Sequence, residues 1–318
     1  MKKALLCFLA VLVIASFFIS DDETSPAEEG TMEVYFCPQD NCEGQLVAFL
    51  DSAQQSIHCA LFDVGLESIQ QKLAEKEKTI EVKVVTDNDY LRKFPEDFVK
   101  ADKSGLMHNK FCIIDGQKIF TGSMNPTFND ANKNNNNLLL IASHYLAENY
   151  EAEFQELWRG IFKKGNSVKY PEITLSGIEI ENYFCPDDDC IKQVVEELKQ
   201  AQQSIYFLAF SFTSEEIASI LLLKNLNGLE IKGVMETKQI SEYSQFERLK
   251  TNGIKVIKDS NPNNLHHKVF IIDSETVITG SFNPTNGGNS RNDENILIIN
   301  DRDTAKLFLQ EFQQLYVI

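Results

Sequence analysis

The 318-residue chain reads as an α/β protein of two similar units, each a mixed sheet flanked by helices, packed about a pseudo-two-fold axis. Three observations lead there. First, an ordered set of strings occurs twice. VYFCPQDNC at 34–42 returns as NYFCPDDDC at 182–190, AQQSI at 53–57 returns at 201–205, and MHNKFCIIDGQKIFTGSMNPT at 107–127 returns as LHHKVFIIDSETVITGSFNPT at 265–285. Second, within each copy short apolar runs of strand length alternate with segments whose apolar residues recur every three or four positions, the pattern of a sheet covered by helices. Third, 43% apolar against 24% charged residues is the balance of a globular chain rather than a disordered one.

The elements follow in register. Segments 45–53 and 191–202 carry helical spacing, and Pro38 and Asp40, like Pro186 and Asp188, suit the entry to each helix. Buried strands are predicted at 57–62 and 205–212, helices at 66–75 and 214–223, and strands at 82–85 and 231–235. Strands at 110–114 and 269–272 turn through Asp115-Gly116 and Asp273-Ser274 into 119–121 and 277–279. Strands at 138–141 and 296–299 follow, and each copy closes on a helix containing FQELW (154–158) or FQQLY (312–316). Cys37 to Cys185 is a step of 148 and His108 to His266 a step of 158, so the second copy carries about ten extra residues within 238–264. The units are placed at 33–165 and 180–318, far longer than a solenoid repeat.

Ahead of them, Lys2 and Lys3 precede an apolar run from Ala4 to Ile19, and Asp21, Asp22 and Glu23 follow. Residues 1–20 therefore read as a cleaved signal peptide or an uncleaved membrane anchor, either of which exports the rest. Residues 21–32, acidic with Pro and Gly, read as a linker. Two local pairs, Cys37 with Cys42 and Cys185 with Cys190, fit disulfides in an exported protein; a four-thiolate zinc site and free core thiols are the alternatives. Cys59 and Cys112 lie on apolar strands and are expected as core packing, with a pair between them as the alternative. The net charge of −17 repels phosphate at long range and argues against a nonspecific nucleic-acid coat.

The repeated string carries the chemistry. Residues two apart on a strand share a face, so His108 points with Lys110 and His266 with Lys268. Ser123 and Asn125, and Ser281 and Asn283, are also two apart. Imidazole, ammonium, hydroxyl and amide together suit a phosphoryl group whose oxygens gain charge. One His supplies a nucleophile and a second a general acid, so two copies serve the two faces of one phosphorus. Asp115 and Asp273 fall an odd step from their lysines, face elsewhere, and look built to close the turn and hold backbone or Lys. No three-ligand metal cluster stands out, and neither metal nor cofactor is expected. His58, His144 and His267 lie outside the motif and are expected to be structural or exposed.

His-x-Lys-x4-Asp followed by Gly-Ser-x-Asn, present twice over essentially residues 33–318, resembles the phospholipase D superfamily. The small repeats are similar to its compact branch of endonucleases and cardiolipin hydrolase, there one motif per chain, here fused into a monomer with an internal pseudo-dimer. The resemblance implies a metal-free reaction through a phosphohistidine, with His108 as nucleophile and His266 as leaving-group acid. It places Lys110, Lys268, Asn125 and Asn283 on phosphate oxygens, with Ser123 and Ser281 in support, and counts the motif residues Asp115 and Asp273 with the catalytic set. It also implies an acidic residue downstream of each Asn. The second copy has Glu294, expected to reach across to His108 as a catalytic residue; the first has Asn136, expected beside His266 in the substrate-binding set. Phospholipid is the favoured substrate, reached through the N-terminal segment. An exported nuclease acting on DNA or RNA is the alternative partner reading, and an inactive phosphate-binding relative the third.

Overall fold

The structure, a computed structural model, describes residues 25–103 and 105–317. The proposed signal or anchor at 1–20 and the first part of the linker lie outside the described residues. The first unit contains β1 (Ala27–Glu28), β2 (Thr31–Cys37), α1 (Cys42–Asp51), β3 (Ser56–Leu61), α2 (Glu67–Lys76), β4 (Glu81–Thr86), β5 (Val99–Ala101), β6 (Leu106–Met107), β7 (Lys110–Ile114), β8 (Lys118–Gly122), α3 (Phe128–Asn132), β9 (Asn136–Ala142) and α4 (His144–Trp158). The second contains β10 (Glu172–Leu175), β11 (Ile178–Cys185), α5 (Cys190–Gln200), β12 (Ser204–Ala209), α6 (Glu215–Leu226), β13 (Glu230–Met235), α7 (Phe246–Thr251), β14 (Lys255–Lys258), β15 (Lys268–Ile272), β16 (Thr276–Gly280), α8 (Asn286–Ser290), β17 (Asn292–Asn300) and α9 (Arg302–Leu315).

The sheet orders match. One runs β2-β9-β8-β7-β3-β4-β5 and the other β11-β17-β16-β15-β12-β13-β14, with β1 and β10 added at its β11 edge. Both are mixed, with β3–β4 and β12–β13 parallel and β3–β7 and β12–β15 antiparallel. The strands carrying the repeated string are the middle of each sheet, covered on both faces, which is why they read as unbroken apolar runs.

The helices separate by burial. α1 and α2 pack their apolar sides on the outer face of the first sheet, around Leu46, Leu50, Ile69 and Leu73. α5 and α6 do the same on the second, around Val194, Leu198, Ile217 and Leu221. The closing helices go inward: Tyr150 and Phe154 of α4 and Phe308 and Phe312 of α9 share one core with Phe111, Ile113, Val269 and Ile271 from the two sheets. Sheets alone are therefore not the inner layer. α4 and α9 fill the space between them, because a pair of twisted sheets brought together only by their strands leaves gaps that aromatic side chains can occupy.

The linker reading of 21–32 is corrected from Ser25 onward. β1 pairs with β10 of the other unit, and the Glu28 carboxylate accepts from Ser143 Oγ and from the backbone N–H groups of His144 and Tyr145 at the start of α4. The segment is acidic because it caps a helix N-terminus, where the backbone N–H groups lack helical partners. Cys37–Cys42 and Cys185–Cys190 are disulfides, each leading into a helix. Cys59–Cys112 is a third, joining register partners on β3 and β7, so the alternative of a pair holds over free core packing. The second copy has Phe207 and Phe270 at that register, so one face of the sheet is closed by a covalent bond in one unit and by rings in the other.

Candidate active site

Each catalytic-candidate His lies two residues before the strand that its Lys begins and is tied to the opposite unit. His108 N donates to Asp293 O at 3.0 Å, and β6 just before it pairs in parallel with β17. His266 N donates to Asn135 O at 2.7 Å, beside a parallel bridge between Asn135 and Leu265. Two buried carboxylates hold the preceding residue: Asp87 accepts from Met107 N (3.2 Å) and Glu236 from Leu265 N (2.7 Å). Sequence reasoning missed both. They sit directly after β4 and β13, and an acid repeated at that place was the available signal.

The two His–Lys pairs meet in one site. Lys110 Nζ donates to His108 O at 2.6 Å and Lys268 Nζ to His266 O at 2.7 Å, and both ammonium groups are buried. An ammonium has three donors, so each lysine keeps N–H groups for an anion. Burial pushes the Lys110 ammonium down to about 8, against the pull of Glu294 and Asp130. Lys268 is lowered well below the usual lysine range by burial and by Lys110. Burial and the two lysines also hold both imidazoles far below the ordinary histidine value. Buried ammonium and imidazole groups whose charged forms are disfavoured by burial and by one another are suited to an anion, which favours those charged forms.

Phe62 stands edge-on to His108 at 4.8 Å and Phe210 edge-on to His266 at 4.7 Å. Lys110 Nζ lies 5.0 Å from the Phe62 ring and Lys268 Nζ 4.9 Å from that of Phe210. Tyr90 packs on Phe62 at 4.8 Å. These half-buried rings wall the site on both sides and exclude water from the charged groups, which strengthens every electrostatic contact within.

The acids are where the two halves part. His108 Nδ1 lies 2.8 Å from Glu294 Oε2, across the seam as expected. Glu294 is fully buried and also takes Ser281 Oγ at 2.7 Å and Asn292 Nδ2 at 3.1 Å. Its burial pushes the carboxyl up to about 7 despite Lys110 and these hydrogen bonds. Asn136 does not play the matching part. Its Nδ2 donates to the carbonyls of Asp130 (2.8 Å) and Asn134 (3.1 Å), and no hydrogen bond joins it to His266 among the described residues. The carboxylate near His266 is Asp130 of α3, with Oδ2 3.4 Å from Nδ1.

Asp115 and Asp273, counted with the catalytic set in the sequence, stand apart from the histidines and bind backbone. Asp115 accepts from the backbone N–H groups of Gln54, Gln55 and Ser56, and Asp273 from those of Gln202, Gln203 and Ser204, all within 3.1 Å. They sit at the far end of the strand from the histidines and stitch the turn to the AQQSI segment; they hold backbone and not Lys. Asn125 lies in the site but spends Nδ2 on Asp130 Oδ2 at 2.8 Å, while Oδ1 of Asn125 and of Asn283 is buried without a partner. Ser123 Oγ accepts from Asn137 N, the counterpart of Ser281 accepting from Asn295 N.

Of the remaining histidines, His267 is fully buried between Asn137 (3.1 Å) and Glu311 (3.2 Å), and His58 lies between Glu81 and Glu151. Both hold structure. Among the described residues one trio of acids, Glu153, Glu156 and Asp187, comes within 4.8 Å, which sequence spacing did not bring together.

The comparisons agree with this geometry. The family model described as "Cardiolipin synthase, PLD-like domain" matches residues 46–158 and again 194–316, one match per unit. A phospholipase D of Rickettsia typhi is 33% identical over 139 residues, covering 43% of this chain and 68% of the relative. The human mitochondrial cardiolipin hydrolase is 30% identical over 130 residues, 41% of this chain and 52% of the relative. Over the whole molecule, the fold is that of phosphatidylserine synthase of Haemophilus influenzae, with TM-score 0.66 at 13% identity, covering 89% of this chain and 85% of that one. The chain belongs to the phospholipase D-like family, and it carries both halves of the site in one polypeptide.

Proposed function

We propose that the protein is an exported phosphodiesterase that hydrolyses a phospholipid headgroup bond, working as a monomer whose two halves form one site. The observation that carries this is the meeting of two His–Lys pairs, one from each half, at buried positions walled by aromatic rings. Glu294 accepts from Nδ1–H of His108 and leaves the Nε2 lone pair free. Nε2 bonds to phosphorus as the bond from phosphorus to the leaving alkoxide breaks, and His266, which the bound diester anion together with Asp130 brings to its protonated form, gives its Nε2 proton to the leaving oxygen. Neutral His266 then takes a proton from water, whose oxygen bonds to phosphorus as the P–N bond breaks. The sum is diester plus water giving monoester plus alcohol. Lys110 and Lys268 donate to the nonbridging oxygens as charge builds, the task for which their remaining N–H groups are placed.

A lipid fits the surroundings better than a polynucleotide. A long polyanion needs a basic stripe. Here the cation beside Tyr90, Lys93, is paired with Asp63 at 2.7 Å, and Lys238 donates to the carbonyls of Pro262 and Asn263. The half-buried Phe62, Tyr90 and Phe210 suit one phosphodiester bearing apolar substituents. Export is supported by the pairing of all six described cysteines as disulfides, which persist in oxidising compartments. The test is turnover with EDTA present on phospholipid vesicles containing cardiolipin and, separately, on single- and double-stranded nucleic acid, each beside His108→Ala. Lipid cleavage lost in the variant is expected. Variant-sensitive cleavage of nucleic acid alone would replace the lipid reading with a nuclease, and loss of activity restored by a divalent ion would replace the metal-free step.

A further inference from the structure

Positions 136 and 294 are equivalent: Asn136 pairs with Cys37 on β2 as Glu294 pairs with Cys185 on β11, and the next residue in each donates to the motif serine. Positions 130 and 288 are equivalent too. Each lies five residues beyond the motif Asn, and each donates its backbone N–H to the capping Thr of a five-residue helix, Asp130 to Thr127 and Gly288 to Thr285. The two halves thus hold one carboxylate each, at exchanged places. Where the strand offers Glu294 the helix offers Gly288, and where the strand offers Asn136 the helix offers Asp130.

The exchange is built into the packing. A Cβ on Gly288 would lie 2.6 Å from Asn283 O and 3.1 Å from the Phe282 ring, so the second half has no room for a side chain there. In the first half the room exists and is used. Asp130 Oδ2 takes both the N–H (2.8 Å) and the Nδ2 (2.8 Å) of Asn125, and Oδ1 takes Asn134 Nδ2 at 2.5 Å. That leaves Oδ2 facing His266 Nδ1 at 3.4 Å, and this buried nitrogen has no hydrogen-bond partner.

We propose that Asp130 is the positioning residue of His266, the relocated counterpart of Glu294, and that it stabilises the imidazolium that His266 must be before it protonates the leaving group and becomes again when it takes the proton of water. This rests on the phosphodiesterase reading of the same site. A carboxylate beside the far nitrogen fixes the ring and favours its charged form, and removing such a partner costs between about 10-fold and 10⁴-fold. The open 3.4 Å geometry, against 2.8 Å at His108, suits a ring that shuttles protons rather than one that stays bonded to phosphorus.

The experiment uses bis(p-nitrophenyl) phosphate, whose leaving group departs without an acid. On the full chain, Asp130→Asn is expected to keep a burst of about one p-nitrophenolate per site while steady-state turnover falls about 10²-fold and phosphohistidine accumulates on His108. Because Asp130 also accepts from Asn125 and Asn134, a fall could come from a collapsed α3, so relocation decides. Asp130→Gly alone is expected to lose the same turnover, and Asp130→Gly with Asn136→Glu, which copies the second half, to regain at least about tenfold of it. Equal turnover of wild type and Asp130→Asn, burst and steady state falling together, or no gain on adding Asn136→Glu would each overturn the assignment while the wild type still cleaves the diester. A wild type that forms no phosphohistidine would sink the phosphodiesterase reading itself, and the role of Asp130 with it.

Discussion

The two halves reach the same geometry by different acids, and the acids differ in charge. Glu294 is fully buried, and burial outweighs its hydrogen bonds and pushes it up to about 7, so near neutrality it stands close to its own midpoint. Burial would raise Asp130 as well, yet His266 and the donors from Asn134 and Asn125 outweigh it and hold the carboxyl below the usual range. One half therefore keeps a carboxylate that shares a proton readily, and the other a fixed negative charge. A duplicated site that must do two different jobs gains from such inequality, because a nucleophile and a proton shuttle need different partners.

The histidines give the largest way to break that comparison. His108→Ala and His266→Ala are each expected to abolish steady-state turnover, by a factor on the order of 10⁴ or more, since neither half can perform both steps. They should differ in the first turnover of bis(p-nitrophenyl) phosphate. His266→Ala still forms the phosphoenzyme and releases one burst, whereas His108→Ala releases none. Mass spectrometry that places the phosphoryl group on His266 in the wild type would reverse the assignment of roles.

Much of this was legible in the chain and one part was not. The repeat exposed the strands and the two His–Lys pairs, because strand periodicity puts alternate residues on one face, and the family resemblance pointed Glu294 across to His108. Asp130 escaped because the same alignment that placed Glu294 pointed to Asn136, and the acid sits instead on a five-residue helix ahead of that strand. A reciprocal exchange, Asp for Gly at one place and Asn for Glu at another, was the trace it left. The inward position of α4 and α9 was not readable either. Their apolar spacing says that a face is buried, not which sheet or which unit covers it.

Stability gives a sharper contrast, because one chemical change should act with opposite sign in the two halves. The Glu294 carboxyl moves from an ordinary 4.5 to about 7 on folding, so the folded state holds its proton longer. Stability is then lost as pH rises from 4.5 through 7, and above 7 the ionised group costs on the order of 3 kcal/mol. Glu294→Gln removes that cost, so the variant should be more stable than wild type at pH 8 and gain little at pH 4. Asp130 is lowered on folding, so it contributes stability above its unfolded value that is lost as pH falls through the folded one. Asp130→Asn should be less stable than wild type at pH 8. Urea unfolding of both variants at the two pH values checks this, and a loss for Glu294→Gln at pH 8 would contradict it.

The smallest effect concerns the residues that should not differ between halves at all. Asp115 and Asp273 each receive three backbone N–H groups from the segment that begins the neighbouring strand, and each has positive φ, 55° and 53°, which Asn tolerates better than most residues. Asp115→Asn and Asp273→Asn keep the backbone and the size of the side chain while removing the charge that strengthens those hydrogen bonds. Each is expected to cost about 1–3 kcal/mol of stability, with the two costs alike and turnover per folded molecule unchanged. A drop in turnover for either, at a temperature where the variant is folded, would return the aspartate of the motif to the reaction. A large inequality between the two would show that the turn, like the acid, has diverged since the halves were copied.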